Sequence, residues 1–330
     1  MEIKGSCGTY HCRWEDLIME NFADRLLGKI QEMKSPVVAG LDPNYDKIPD
    51  CLKKNYKSVG SALFAFNKGL IDALYDIVPA VKPQLAYYEM YGLSGLIAFK
   101  ATVDYAKSKG MIVIADGKRN DIGTTSEAYA KAYLETLEKD SIAEDPTMPV
   151  KEGAFDCDAL TVNPYLGADG ILPFVKLCEA NGRGIFSLVK TSNKSSGQLQ
   201  DLKTESGLTI SETVATLVDE WGASCVGKMG YSSVGAVVGA TYPEEAENLR
   251  KKMPRAIILV PGYGAQGGDA RSVSVNFNKD GLGAIVNASR SIMYAYKADK
   301  RAGKFTEEQY ALAARDEAAE MSKAIMAAIS

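Results

Sequence analysis

Eight short apolar runs, each followed by a longer stretch with helical spacing, constrain this chain more than any other feature. The runs are Pro36–Asp42, Ala80–Tyr87, Met111–Lys118, Ala159–Asn163, Gly184–Thr191, Gly235–Thr241, Ala256–Gly262 and Ala284–Arg290. Most are β-branched or flanked by glycine, and they have the length of a buried parallel strand. Between them, Ser61–Tyr75 sets Leu63, Phe66, Leu70 and Leu74 at intervals of three and four. Leu93–Ala106, Glu127–Leu137, Ile210–Trp221 and Pro243–Lys252 repeat that spacing, and Thr306–Ile329 reads as a closing helix. Alternating strands and helices with crossovers of this length make a parallel sheet. Eight strands are the number a closed (β/α)8 barrel needs, and 330 residues hold such a barrel with room for insertions.

The expected organisation is a single domain over 1–330. Residues 1–35 form an N-terminal extension or helix, 36–295 the barrel core and 296–330 a C-terminal helical segment. Two stretches look inserted. Lys139–Asp158, rich in acids and proline, reads as an exposed loop. Thr191–Ser206 is polar, follows the fifth run and has the character of a lid.

Polar residues collect at the C-terminal ends of the runs: Asp42, Lys82, Asp116, Lys118, Asn163, Lys190, Thr191, Thr241 and Arg290. In a barrel those ends form the active-site face. An open doubly wound sheet also binds ligands there, but no GxGxxG follows the first run, so the barrel is preferred.

The chemistry open to the chain is narrowed by one number. Its only histidine is His11, so Ser-His-Asp triads and two-histidine zinc sites are excluded, and acid–base work falls to Lys, Asp, Glu, Tyr or Cys. Cys7, His11 and Cys12 lie close together, but no second ligand cluster accompanies them; no metal or cofactor site is expected. With 38 basic and 42 acidic residues the net charge is −4, which excludes binding nucleic acid by bulk positive charge. The six cysteines are sparse and irregular and read as reduced thiols. The first residues lack the apolar core of a signal peptide, and no apolar run reaches the ~18 residues of a membrane helix. A cytoplasmic location is expected.

Three constellations carry chemistry. Asp116, Lys118 and Asp121 form D-x-K-x-x-D at the end of the third run. Positions i and i+2 of an extended strand point the same way, so Asp116 and Lys118 face one space. The competing reading is a solvated charged loop, but here the charges follow the core strand Met111–Ala115 directly. Two acids beside one lysine call for more positive charge, which Lys82 can supply, and an alternating Lys-Asp-Lys-Asp array keeps both ammoniums protonated. The second constellation is the glycine-rich Pro261–Asp269 with Arg290. Closely approaching backbone N–H groups, the Gln266 amide and a bidentate guanidinium suit a phosphate, and barrels often place one after strands seven and eight. The third is Asp42 in Gly40–Asn44, either an acceptor for ligand hydroxyls or an Asp-Pro turn.

Gly40–Asn44, Lys82-Pro83-Gln84, Ala115–Thr125, Asn163–Gly167, Pro261–Asp269 and Asn287–Arg290 resemble, in order and over most of the chain, the orotidine 5′-phosphate decarboxylase family in its longer, type 2 branch. The resemblance implies a homodimeric (β/α)8 barrel with composite sites. The implied activity is decarboxylation of orotidine 5′-phosphate to UMP, the last step of de novo pyrimidine nucleotide synthesis, without cofactor or metal. Carried over by position, Lys118 is the proton donor to C6, and Lys82, Asp116 and Lys118 come from one subunit. Asp121, Ile122 and Thr125 reach the other subunit's site. Asp42 and Lys82 bind ribose hydroxyls, with Asn44 nearby. Ser192, or Thr191, bonds the pyrimidine. Gln266, Arg290 and the backbone at Gly264, Gly267 and Ser289 hold the phosphate. Two other readings stay open: a Mg2+-dependent sugar-phosphate decarboxylase or aldolase of the same superfamily, and a non-catalytic nucleotide-binding barrel.

Overall fold

The computed structural model describes residues 19–136, 154–264 and 268–330. Eight parallel strands close into a barrel in chain order. They are β1 (Val37–Leu41), β2 (Ala80–Pro83), β3 (Ile112–Arg119), β4 (Ala159–Val162), β5 (Gly184–Lys190), β6 (Ser232–Val238), β7 (Ala256–Val260) and β8 (Ala284–Ala288). Helix α1 (Phe22–Met33) precedes β1. After β1 come α2 (Asp50–Asn55) and α3 (Val59–Leu74), after β2 α4 (Ala86–Glu89) and α5 (Gly92–Ser108), and after β3 α6 (Gly123–Leu134). Then α7 (Ala168–Asn181) follows β4, and α8 (Gly197–Gln200) and α9 (Ile210–Trp221) follow β5. After β6 comes α10 (Pro243–Lys252), after β7 α11 (Ala270–Ser274), and after β8 α12 (Arg290–Met293) and α13 (Tyr310–Ile329). The fold is the (β/α)8 barrel that the alternation of runs predicts.

Local chemistry sets the helix ends. Helix α9 starts at a capping box in which Thr209 and Glu212 satisfy each other's backbone N–H groups. Helix α10 has Pro243 in its first turn, acids at its start and Arg250, Lys251 and Lys252 at its end. Both keep the boundaries read from spacing. Helix α3 begins two residues before its apolar pattern, because the Ser58 hydroxyl caps Ser61 N–H. Among the described residues no helix is long and apolar enough to cross a membrane.

Two cores result from the two-residue period of the strands. One lies between strands and helices. The other fills the barrel with Val38, Ala80, Ile112, Ile114, Ala159, Phe186, Val237, Ile257, Leu259 and Ile285. Helix α1 plugs its N-terminal end with Phe22, Leu26, Leu27 and Ile30, all buried, each contributing roughly 1.5–3 kcal/mol. Phe22 meets Phe186 edge to face at 6.0 Å. Asp24 fastens the helix by accepting from Lys228 and Met229 N–H at 2.8 and 2.9 Å. At the other end, the same inward parity carried two residues further reaches Gly40, Lys82, Asp116, Thr161 and Asn287.

The Lys139–Asp158 stretch does not remain an exposed loop to its end. Most of it lies outside the described residues, but Cys157 and Asp158 are buried, and Phe155 stacks on Tyr133 at 5.1 Å. The Thr191–Ser206 stretch is also more ordered than its polarity suggests. It contains α8, Gln200 clasps Thr191 through two hydrogen bonds of 2.8 and 2.9 Å, and buried Lys190 pairs with Asp201 and Glu245.

Candidate active site

Asp116 is the centre of the barrel mouth. It is 7% exposed and accepts four side-chain hydrogen bonds. Lys82 Nζ (2.6 Å) and Gln84 Nε2 (3.0 Å) bond its Oδ2, while Lys118 Nζ (2.6 Å) and Thr161 Oγ1 (2.9 Å) bond its Oδ1. Burial pushes the carboxyl up, but the two ammoniums outweigh it and hold Asp116 well below the usual carboxylate range. Burial likewise pulls Lys82 down, and Asp116 and Asp42 more than reverse the pull, so its ammonium is held above the ordinary lysine range.

Asp116 and Lys118 meet, though not by way of a regular strand. Ala115 pairs with Leu160 and Arg119 with Val162, so four steps along β3 match two along β4. The excess residues form a bulge in which Lys118 has φ 47°. A left-handed lysine costs on the order of 1–3 kcal/mol and persists only where its surroundings enforce it. Gly117 makes the bulge possible, since a Cβ there would lie 2.8 Å from Leu85.

A cavity of about 190 Å3 adjoins this centre, lined by Asp42, Lys82, Asp116, Asn287, Ser289 and Arg290 together with Tyr87 and Tyr263. Oδ1 of Asp42 is buried and accepts no hydrogen bond among the described residues. Burial raises the Asp42 carboxyl above the usual range, against the pull of Lys82. Ser289 lies directly over Gly40, where a Cβ would stand 1.9 Å from the serine hydroxyl. Arg290 is exposed and, among the described residues, has no carboxylate partner. Gly264 has φ 72°, and its N–H donates to Gly268 O at 2.8 Å. Gln266 and Gly267, expected at the phosphate, lie outside the described residues, as do Cys7, His11 and Cys12.

The other predicted residues fall into two groups. Ser192 packs on Gly239 at the mouth, whereas the Thr191 hydroxyl is occupied by Gln200 and Asn193. Asn44 spends its side-chain oxygen capping Asp46 N–H at 2.9 Å. Asp121, Ile122 and Thr125 do not line the cavity. Asp121 bonds Ile122 N–H at 2.8 Å, and Ile122 is 53% exposed. Sequence reasoning missed Thr161 and gave no role to Gln84 or Asn287, although the inward parity of β2, β4 and β8 marks all three.

A larger groove of about 670 Å3 lies outside the barrel between α3 and α5. Its carboxylate, Asp104, is already paired with Lys100 at 2.5 Å, and no array of charges faces it.

The family model described as orotidine 5′-phosphate decarboxylase / HUMPS matches residues 62–305. A Rhodopirellula baltica protein named orotidine 5′-phosphate decarboxylase is 45% identical over 86% of this chain and 91% of its own. A Caldicellulosiruptor saccharolyticus protein of the same name is 43% identical over 84% and 91%. The solved structure of Leishmania donovani OMP decarboxylase is similar with TM-score 0.66 and 28% identity, over 90% of this chain and 99% of that one.

Proposed function

The chain belongs to the orotidine 5′-phosphate decarboxylase / HUMPS family, and from that premise and the geometry of the barrel mouth we propose that it converts orotidine 5′-phosphate to UMP and CO2 without metal or organic cofactor. The observation that carries the reading is the Lys82–Asp116–Lys118 array, buried at Lys82 and Asp116, beside a cavity whose lining includes Arg290. It offers fixed ammoniums and a guanidinium free to take an anion.

In the proposed reaction the bond from C6 to the carboxylate breaks and its electron pair stays on C6. That carbon has no conjugated sink, so negative charge must be stabilised where it forms. The Lys118 ammonium, oriented by Asp116, faces the developing charge and transfers its proton to C6, and solvent then reprotonates the amine. Asp42 and Lys82 take the ribose hydroxyls; the partnerless Oδ1 of Asp42 is an acceptor waiting for a donor. Ser192 takes the pyrimidine in preference to Thr191, whose hydroxyl is already engaged. Arg290 with the backbone at Gly267 and Ser289, and the Gln266 amide, hold the phosphate; the Gly264 N–H, expected there too, is already spent on Gly268 O. Binding energy gained there orders the residues around the reacting carbon.

The reading includes a homodimer in the cytoplasm. About 190 Å3 is less than the roughly 300–1,000 Å3 of ordinary small-molecule sites, so the described part of one chain makes an incomplete pocket. Asp121, Ile122 and Thr125 do not line it and would complete the partner's site; exposed Met90, Leu93 at the start of α5 and Tyr165 offer apolar surface.

The deciding experiment is ultraviolet detection of orotidine 5′-phosphate consumption by the purified protein, with and without EDTA. Turnover unaffected by EDTA is expected. Absence of turnover, or turnover restored only by Mg2+, would overturn the proposal. Mixing Lys118→Ala with Asp121→Ala chains tests the composite site: each alone is inactive, and hybrid dimers regain part of the activity through their one intact site.

A further inference from the structure

Thr161 joins the two charged residues of the bulge. Its side chain is 1% exposed on the inner face of β4, opposite the strand irregularity. Oγ1 accepts the backbone N–H of Lys118 at 2.9 Å and donates to Asp116 Oδ1 at 2.9 Å. The direction of both bonds is fixed. A backbone N–H can only donate, so the hydroxyl proton is free for the ionised carboxylate. One hydroxyl therefore supports the left-handed backbone of Lys118 and the rotation of the carboxylate that orients the Lys118 ammonium. No other side chain contacts both parts of the device among the described residues.

We propose that Thr161 is a positioning residue for the Lys118 ammonium: it holds the strained bulge and the Asp116 carboxylate in the one arrangement that keeps Nζ on Asp116 Oδ1 at the barrel mouth. The inference rests on the decarboxylase reading for its kinetic consequence but not for its geometry. Without the hydroxyl, the half-buried Lys118 N–H loses its partner and Asp116 loses one donor. The bulge then relaxes and Nζ samples other positions. Ligand contacts at Asp42, Ser289 and Arg290 do not pass through Thr161.

The test compares wild type, Thr161→Ser and Thr161→Val, the last nearly isosteric without the hydroxyl. In Thr161→Val, kcat is expected to fall by roughly 30- to 300-fold, in keeping with an ångström-scale misplacement of a reacting group. KM and the dissociation constant of UMP should stay within about three-fold. Thr161→Ser should recover most of the lost kcat. Amide hydrogen exchange gives a readout independent of turnover: the Lys118 amide is protected in wild type and in Thr161→Ser and exchanges freely in Thr161→Val.

An unchanged kcat and unchanged Lys118 protection in Thr161→Val would overturn the proposal. So would an equal loss of kcat and UMP binding in both variants, which would mark a general packing role. If wild type fails to turn over orotidine 5′-phosphate, the decarboxylase reading fails, while the exchange data still decide whether Thr161 holds the bulge.

Discussion

The two ends of the barrel each bury a carboxylate between two cations, and the ends differ in what they leave unfinished. At the N-terminal end Asp158 meets Arg25 at 2.9 Å and Arg183 at 3.3 Å, and its other oxygen accepts Val113 N–H at 2.9 Å. Both arginines have further partners: Arg25 donates to Gly182 O at 3.0 Å, and Arg183 reaches Asp156 at 2.5 Å and Thr136. Helix α1 closes over the interior there. At the C-terminal end the cations are lysines, and the Lys118 side chain is 44% exposed. Asp42 has a buried oxygen with no partner. The bottom uses forked guanidiniums that lock in several directions, and the top uses ammoniums that behave as movable point charges. The same element, a buried acid between two cations, is a clamp at one end and a prepared site at the other.

The contrast is broken most sharply at Lys118. Lys118→Ala is expected to lower kcat by roughly 10^4-fold or more, because the proposed reaction loses its proton donor and the charge opposite the developing carbanion together. UMP should still bind, since the proposed phosphate contacts do not involve Lys118, and stability should change little for a side chain that reaches solvent. Steady-state kinetics with calorimetric titration of UMP checks this; a variant with more than a few per cent of wild-type kcat would place the donor elsewhere.

Asp158→Ala should show the opposite behaviour. Removing the acid leaves Arg183, only 6% exposed, with Asp156 as its remaining carboxylate and leaves the buried Val113 N–H without its side-chain acceptor, a loss of about 1–3 kcal/mol. Urea unfolding should register the loss, while kcat/KM of the molecules that remain folded stays within about two-fold. A large kinetic defect would mean the bottom of the barrel tunes the top.

Arg290→Ala brings the comparison to the arginine of the cavity lining. The guanidinium has no protein partner among the described residues, so its removal should alter stability by less than about 0.5 kcal/mol. It should nevertheless lower kcat/KM about 10^2-fold, the worth of one or two charge-assisted hydrogen bonds to phosphate. If inorganic phosphate protects wild type and Arg290→Ala equally against thermal unfolding, the anion site has been misplaced.

How much of this was legible in the sequence follows the same division. The barrel was readable because its strands are continuous apolar runs and its helices carry periodic faces and caps. The charged mouth was readable because Asp116 and Lys118 follow a core strand directly. What stayed hidden depends on register between strands. Nothing within D-G-K-R says that Lys118 turns left-handed, and Thr161 acquires its meaning only when β4 is laid beside the bulge. Asp158 read as the end of an exposed loop because its cations come from α1 and from the residue before β5, far away in the chain. The resemblance favours Ser192 and leaves Thr191 as a competitor; Gln200, nine residues beyond Thr191, engages the threonine.

The smallest expected effect tests whether the top is held ready at the expense of stability. Oδ1 of half-buried Asp42 is itself buried and unpaired, and desolvation raises the folded-state pKa of the carboxyl above the unfolded value. A raised carboxyl destabilises the folded protein when ionised, so the penalty is full above the folded pKa. It fades as pH falls through that value and is gone below the unfolded pKa of about 3.9. Asp42→Asn removes the charge and keeps the shape. The variant without ligand should therefore be more stable than wild type at pH 7, by roughly 0.5–2 kcal/mol, as is common when a functional group under strain is relieved. The advantage should shrink steadily toward pH 4, and UMP should bind more weakly because a charged acceptor for ribose hydroxyls is lost. Denaturation curves at several pH values measure the first effect and titration of UMP the second. A variant less stable than wild type at pH 7 would show that the Asp42 charge is already satisfied by Lys82, and that the upper end of the barrel is as complete a clamp as the lower.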